Sequence, residues 1–249
     1  MDTEVAKKPS IAGRLGNAAE PMLHVENLFV SYGQSEVLHG LGFTAGQREI
    51  LAVMGRNGMG KSTLFKSLIG ILPSKRGSVK LGDAELAALP SHERVHSGLA
   101  YVPQGRMIFP MLTVLDNIKT GLKSAKDTIP EEIFALFPVL HEMRGRKGGN
   151  LSGGQQQQLA IARALASNPK VLLLDEPTEG IQPSIIKDLA RVLKEIRAMR
   201  DLTIVVSEQV LSFALDVADR LLVIEKGHFV EEVARADADA ARLGAYLSV

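Results

Sequence analysis

Gly55-Arg56-Asn57-Gly58-Met59-Gly60-Lys61-Ser62 is a glycine-spaced run that ends in a lysine and a hydroxyl. Glycines at this spacing let successive backbone N–H groups turn inward as an anion nest, and a helix starting behind them adds its dipole. Lys61 can then reach the β- and γ-phosphates of a nucleotide, the Ser62 hydroxyl can ligate Mg²⁺, and Thr63 sits on the same side. A second run, Val171-Leu172-Leu173-Leu174-Asp175-Glu176, puts two acids directly after four apolar residues. Asp175 would emerge at the carboxyl end of a buried strand, where open α/β sheets bind ligands, and hold Mg²⁺ through water. Glu176 is placed to orient or deprotonate an attacking water. Alone, this second run also reads as a strand capped by two solvated acids; following a phosphate loop, it reads as the other half of one site.

Such groups need strands and helices to place them, and the flanking sequence supplies both. Ile50–Met54 is a continuous apolar run ending in glycine, the pattern of a strand buried on both faces. Ser62–Leu72 has helical periodicity up to Pro73. Residues 22–30 and 37–43 alternate as half-buried antiparallel strands, and short strands are expected at Val79–Leu81, Leu99–Val102, Val171–Leu174 and Thr203–Val206, with a small helix around Ser91–His96. Thr113–Ser167 is helical, broken by Pro130, Pro138 and the loop Gly145–Asn150, and Ile185–Met199 is an amphipathic helix. Leu221–Ile224 and Phe229–Val233 form a closing hairpin about Lys226-Gly227, followed by an Ala-rich helix. The expected fold is α/β: a parallel-sheet core with an antiparallel β edge and a helical insert over about residues 105–167. Residues 1–21 read as a flexible extension and 22–249 as one domain.

Composition removes several classes. The chain has 249 residues, 45% of them hydrophobic, enough for a sizeable core and too many for a disordered chain. No strictly apolar run exceeds five residues, so no membrane-spanning helix is expected. The first twenty residues lack the apolar stretch of a secretory signal. Twenty-nine basic against 28 acidic residues give no global field toward nucleic acid, and 4% aromatics give little for bases to stack on. The absence of cysteine excludes disulfides and thiolate metal sites and fits a cytoplasmic location.

Leu151-Ser152-Gly153-Gly154-Gln155 opens a helical stretch 19 residues before the Val171 strand. Ser152 and the two glycines would expose backbone donors at that helix start, a second anion site. With this segment in place, the chain from about Met22 to Val249 resembles the ATP-binding-cassette (ABC) ATPases, which have a P-loop, RecA-like core. The resemblance implies that ATP, with Mg²⁺, lies between the phosphate loop of one subunit and the Ser152–Gln155 segment of a second, head-to-tail subunit. It implies that Tyr32 stacks on adenine. It also implies that Gln104, in Tyr101-Val102-Pro103-Gln104, touches Mg²⁺ and the attacking water and joins the core to the insert. The partners implied are integral-membrane permease subunits, contacted around Arg106–Leu115 through Ile108, Phe109, Met111 and Leu112, and indirectly a solute-binding protein. Insert core is the alternative reading of those four residues. The chain would then sit on the inner face of the cell membrane.

Two positions depart from that family's pattern. Gln209 stands where a histidine usually reaches the γ-phosphate, and Gln182 where an aspartate usually follows the catalytic glutamate. An amide can donate a hydrogen bond but carries no positive charge. The Glu208-Gln209 pair and the Gly180–Pro183 turn are similar to ATPases of branched-chain amino acid and urea importers. The segments Tyr101–Gly105, Leu151–Leu159 and Asp175–Lys187 are most similar to the second ATPase subunit of the urea importer. A branched-chain amino acid importer is the alternative, and Gln209 leaves open a nucleotide-binding regulatory subunit without turnover. His92-Glu93-Arg94-Val95-His96 matches a zinc-binding pattern, but it lacks a third ligand and reads as a solvated helical face.

Overall fold

A computed structural model describes residues 21–248; apart from Pro21, the extension expected over residues 1–21 lies outside the described residues. In chain order the elements are β1 (Leu23–Tyr32), β2 (Ser35–Ala45), β3 (Ile50–Met54), α1 (Lys61–Leu68), β4 (Ser74–Leu81), β5 (Ala84–Glu85), α2 (Ser91–Ser97) and β6 (Leu99–Val102). Then follow α3 (Val114–Lys119), α4 (Glu131–Leu136), α5 (Pro138–Glu142), α6 (Gly153–Leu165), β7 (Val171–Asp175), α7 (Pro183–Met199) and β8 (Thr203–Glu208). The chain ends in α8 (Leu211–Val217), β9 (Arg220–Glu225), β10 (His228–Ala234) and α9 (Ala240–Leu247).

Two sheets result, one in the order β2-β1-β4-β5 and one in the order β10-β9-β3-β8-β7-β6. The first is antiparallel, whereas β9, β3, β8, β7 and β6 run parallel, with β10 folded back as an antiparallel edge. All five residues of β3 are buried, because successive side chains enter different cores. Ile50, Ala52 and Met54 pack with α6, α7 and α8, while Leu51 and Val53 pack with α1 and the antiparallel sheet. A strand covered on both faces must be apolar throughout, which is why its sequence does not alternate.

Helix α1 stops at Leu68, short of the expected Leu72. Gly70 turns the chain at φ +83°, and the amides of Ile71 and Leu72 both fold back onto the Lys66 carbonyl. The buried Arg94 closes that end by donating to the carbonyls of Ser67 and Leu68 as well as Leu89 and Ala87. The side chain α2 buries is thus an arginine, whereas His92 and Glu93 are exposed and His96 Nδ1 lies against the His92 carbonyl. Strand β8 runs two residues past the expected Val206 and takes in Ser207 and Glu208. Helix α8 and the two-residue β5 have no counterpart in the sequence reading.

Candidate active site

The phosphate loop spans the gap between β3 and α1. Gly58 and Gly60 lie at φ +80° and +111°, backbone that side-chain-bearing residues rarely adopt. A Cβ at Gly55 would stand 2.6 Å from the Ile224 carbonyl oxygen, so that position has no room for one. The loop is fixed from outside by the Gly55 amide on the Glu208 carbonyl and by the Met59 carbonyl, which accepts from the Gly227 amide. Around it lies a cavity of about 260 Å³ whose lining includes Asn57, Lys61, Ser62, Thr63, Gln104 and Glu176. Gly58 and Gly60 also line it, as does Val37, which belongs to none of the sequence motifs.

Lys61 is buried, and its Nζ donates to the carbonyls of Gly55 and Arg56 at 2.7 and 3.0 Å. The same nitrogen lies 3.0 Å from Glu176 Oε1, with the two side chains 3% and 5% exposed. Lysine and glutamate, expected separately from two motifs, form one buried ion pair on the phosphate loop. Glu176 Oε2 has no hydrogen-bond partner among the described residues. The Glu176 backbone is left-handed, at φ +47°, with its amide donating to both Ser207 O and Ser207 Oγ at 3.1 Å.

Asp175 is buried at the end of β7 and is fully engaged. Its Oδ1 accepts from Ser207 Oγ at 2.6 Å and Ser62 Oγ at 3.2 Å, and its Oδ2 accepts from Tyr101 OH at 3.1 Å. Burial, together with the neighbouring Asp175 charge, holds the Tyr101 hydroxyl well above the usual phenol range, so it remains a donor. Tyr101 and Ser207 have no place in the expected site, because their role depends on pairing β6 and β8 on either side of β7.

Gln104 is exposed and lines the cavity. Behind it Gly105, Arg106 and Met107 are all left-handed, at φ +77°, +67° and +45°. Arg163 of α6 donates to the carbonyls of Arg106 and Met107, while Arg106 donates to the Glu179 carbonyl at 3.0 Å. The turn after Gln104 is therefore clamped on one side to the insert and on the other to the segment after Glu176. Beyond it Met107, Phe109, Met111 and Leu112 are exposed, whereas Ile108 packs against the core. The wholly buried Asn117 holds this loop, with Nδ2 donating to the carbonyls of Phe109 and Thr113 and Oδ1 accepting from the Phe109 amide.

Ser152–Gln155 does not line the cavity. It begins α6 as a capping box: Ser152 Oγ accepts from the Gln155 amide and Gln155 Oε1 from the Ser152 amide. Of the donors expected to face an anion, the Ser152 amide is therefore consumed within the helix start, along with the Gln155 amide, and the amides of Gly153 and Gly154 are the pair outside the box. Gly154 is buried, and a Cβ there would stand 2.6 Å from Ile185 Cγ2 of α7. Tyr32 is 48% exposed at the end of β1, outside the cavity lining. Gln209 has an exposed side chain, and its amide donates to Glu208 Oε2 at 3.0 Å.

A glycine loop after β3, an Asp-Glu pair at the end of β7 and a single strand, β8, between them make this a P-loop nucleoside triphosphatase. Comparison with known proteins narrows the class. The profile of the ABC transporter family matches residues 38–179. Over 213 residues the chain is 38% identical to the high-affinity branched-chain amino acid transport ATP-binding protein BraG of Pseudomonas aeruginosa, spanning 84% of this chain and 91% of that protein. It is 33% identical to the lipopolysaccharide export system ATP-binding protein LptB of Escherichia coli K12, over 84% of this chain and 88% of LptB. Among solved structures, the ADP conformation of MJ1267, an ATP-binding cassette of an ABC transporter, superposes with a TM-score of 0.77 at 26% identity, covering 91% of this chain and 99% of that one. The protein belongs to the ABC transporter family and is one of its ATPases.

Proposed function

We propose that this chain is the ATP-binding and hydrolysing subunit that energises an ABC importer of urea. The observation that carries the hydrolytic part is the buried Lys61–Glu176 pair, which brings a phosphate-seeking cation and a general base side by side at the phosphate loop. When ATP enters, its phosphates draw the Lys61 ammonium away from Glu176, and the glutamate is freed to take a proton from the attacking water. Ser62 and Asp175, with Gln104 lining the same cavity, form an all-oxygen donor set that fits Mg²⁺. Bound there, Mg²⁺ would neutralise charge on the β- and γ-phosphate oxygens. Tyr32 supplies the ring for adenine, and Gln209 donates its amide toward the γ-phosphate.

Because Ser152–Gln155 lies outside the cavity, the second anion face is supplied to a neighbouring subunit, which is a related ATPase chain in the transporter and a second copy in isolation. The exposed Met107, Phe109, Met111 and Leu112 form the face that docks on the permease and holds the chain at the cytoplasmic side of the membrane. Among the described residues no helix is long and apolar enough to cross a membrane. A solute-binding protein delivers the solute from the far side.

Urea is favoured by the Tyr101–Gly105, Leu151–Leu159 and Asp175–Lys187 segments; the identity to BraG favours a branched-chain amino acid importer as the second reading. Uptake of labelled urea and labelled leucine in cells with and without the gene, complemented by wild type or Glu176→Gln, decides between them. Loss of urea uptake alone, restored only by wild type, is the expected result. In the purified transporter Glu176→Gln should bind ATP without hydrolysing it, and Lys61→Ala should bind weakly. Sustained hydrolysis by Glu176→Gln would refute the role given to the glutamate.

A further inference from the structure

The left-handed backbone of Glu176 needs an explanation. A residue with a Cβ pays sterically at φ +47°, and the following Pro177 restricts it further. Such a conformation persists only where its surroundings over-determine it. Ser207 holds the Glu176 amide from one side, and Lys61 holds the carboxylate. The third tether is Glu208. Its Oε1 accepts from the Thr178 amide at 3.0 Å, just past Pro177, and its Oε2 accepts from the amides of Gln209 and Val210 at 3.0 and 3.2 Å. Its own carbonyl accepts from the Gly55 amide.

One side chain, 1% exposed, thus joins the turn after the catalytic glutamate to the segment that carries Gln209, and its backbone reaches the phosphate loop. The chemistry calls for a carboxylate. Three backbone N–H groups converge, and only a group with two acceptor oxygens and no donor can meet them all. Burial pushes the Glu208 carboxyl above the usual range, while the groups that oppose this are backbone amides and Thr178, with no cation among them. A buried acid without a counter-ion is costly, so a neutral residue would serve better if strand packing were its task.

We propose that Glu208 is a positioning residue for Glu176: its carboxylate locks the Glu176–Thr178 turn to the Gln209 segment and so fixes the general base above the phosphate loop. This rests on the reading of Glu176 as the base. The test is steady-state ATP hydrolysis by the assembled transporter carrying Glu208→Gln or Glu208→Asp, with thermal midpoint and nucleotide binding measured on each. Glu208→Gln turns an NH₂ toward backbone donors, and kcat should fall about 100-fold, the scale of a misplacement near 1 Å, with KM for ATP within about twofold of wild type. Glu208→Asp keeps both acceptors on a shorter arm and should lose only about tenfold in kcat at unchanged KM. Wild-type kcat in either folded variant, or KM rising in step with the loss, overturns the proposal. If Glu176→Gln itself still hydrolyses ATP, the underlying reading fails instead, and the two failures are told apart.

Discussion

The Lys61–Glu176 pair can be weighed without nucleotide. Both side chains are buried, and Lys61 Nζ also donates to two loop carbonyls, whereas Glu176 Oε2 has no partner among the described residues. The two ends of the pair are therefore unequal. Lys61→Met leaves a buried carboxylate facing no cation, and removing one member of such a pair costs about 3–5 kcal/mol. Glu176→Gln leaves an ammonium that keeps the Gly55 and Arg56 carbonyls and gains an amide oxygen, a loss nearer about 1–2 kcal/mol. The double variant buries no unpaired charge and should be no worse than Lys61→Met alone.

The expected coupling is at least the Glu176→Gln loss, about 1–2 kcal/mol, against the roughly 0.5 kcal/mol scatter of independent sites. For a chain of this length Lys61→Met should lower the thermal midpoint by roughly 6–20 °C. Scanning calorimetry or chemical denaturation of the four proteins without nucleotide measures the cycle. Additive losses would refute the pairing. The same logic predicts that added ATP raises the midpoint of Glu176→Gln more than that of wild type, since Lys61 no longer has to leave a carboxylate to reach the phosphates.

Other outcomes follow from single contacts. Tyr101→Phe removes the donor to Asp175 Oδ2, worth about 1 kcal/mol, and should raise the Mg²⁺ needed for half-maximal hydrolysis roughly fivefold while metal-free ATP binding stays unchanged. Arg106→Ala cuts the clamp onto the Glu179 carbonyl; hydrogen exchange at the Glu179 and Ile181 amides should speed up, with global stability falling by about 1 kcal/mol. The raised pKa of Glu208 means that the native state binds more protons than the unfolded chain above the ordinary value of 4.5. That contribution to stability is present below pH 4.5 and is lost as pH rises through the native value. Wild type should therefore lose stability relative to Glu208→Gln as pH is raised from 4.5 toward neutrality, as measured by denaturant midpoints.

What the sequence revealed and what it concealed divide along a physical line. The phosphate loop was legible because a nest of N–H groups needs glycines at fixed spacing within eight residues, and β3 was legible because a strand covered on both faces must be apolar throughout. The exceptions are local too. Helix α1 ended early because Gly70 and the distant Arg94 closed it before Pro73 was reached, and only the glycine is visible nearby. Ser152–Gln155 looked like open donors until its Ser and Gln proved to cap each other three residues apart, a pairing the spacing already carried.

The groups that steady the acids are a different matter. Tyr101 reaches Asp175 across 74 positions, and Glu208 reaches the Thr178 amide across 30, so neither is readable before the order β3-β8-β7-β6 is known. Once it is known, β8 lies between the strand that leads into the lysine and the strand that carries the acids. Its last two positions then lie next to Asp175, the turn after Glu176 and the Gln209 segment. Ser207 and Glu208 occupy them, and both point their oxygens at those groups. The groups proposed to react are written in the motifs, but their alignment is set by the strand between them.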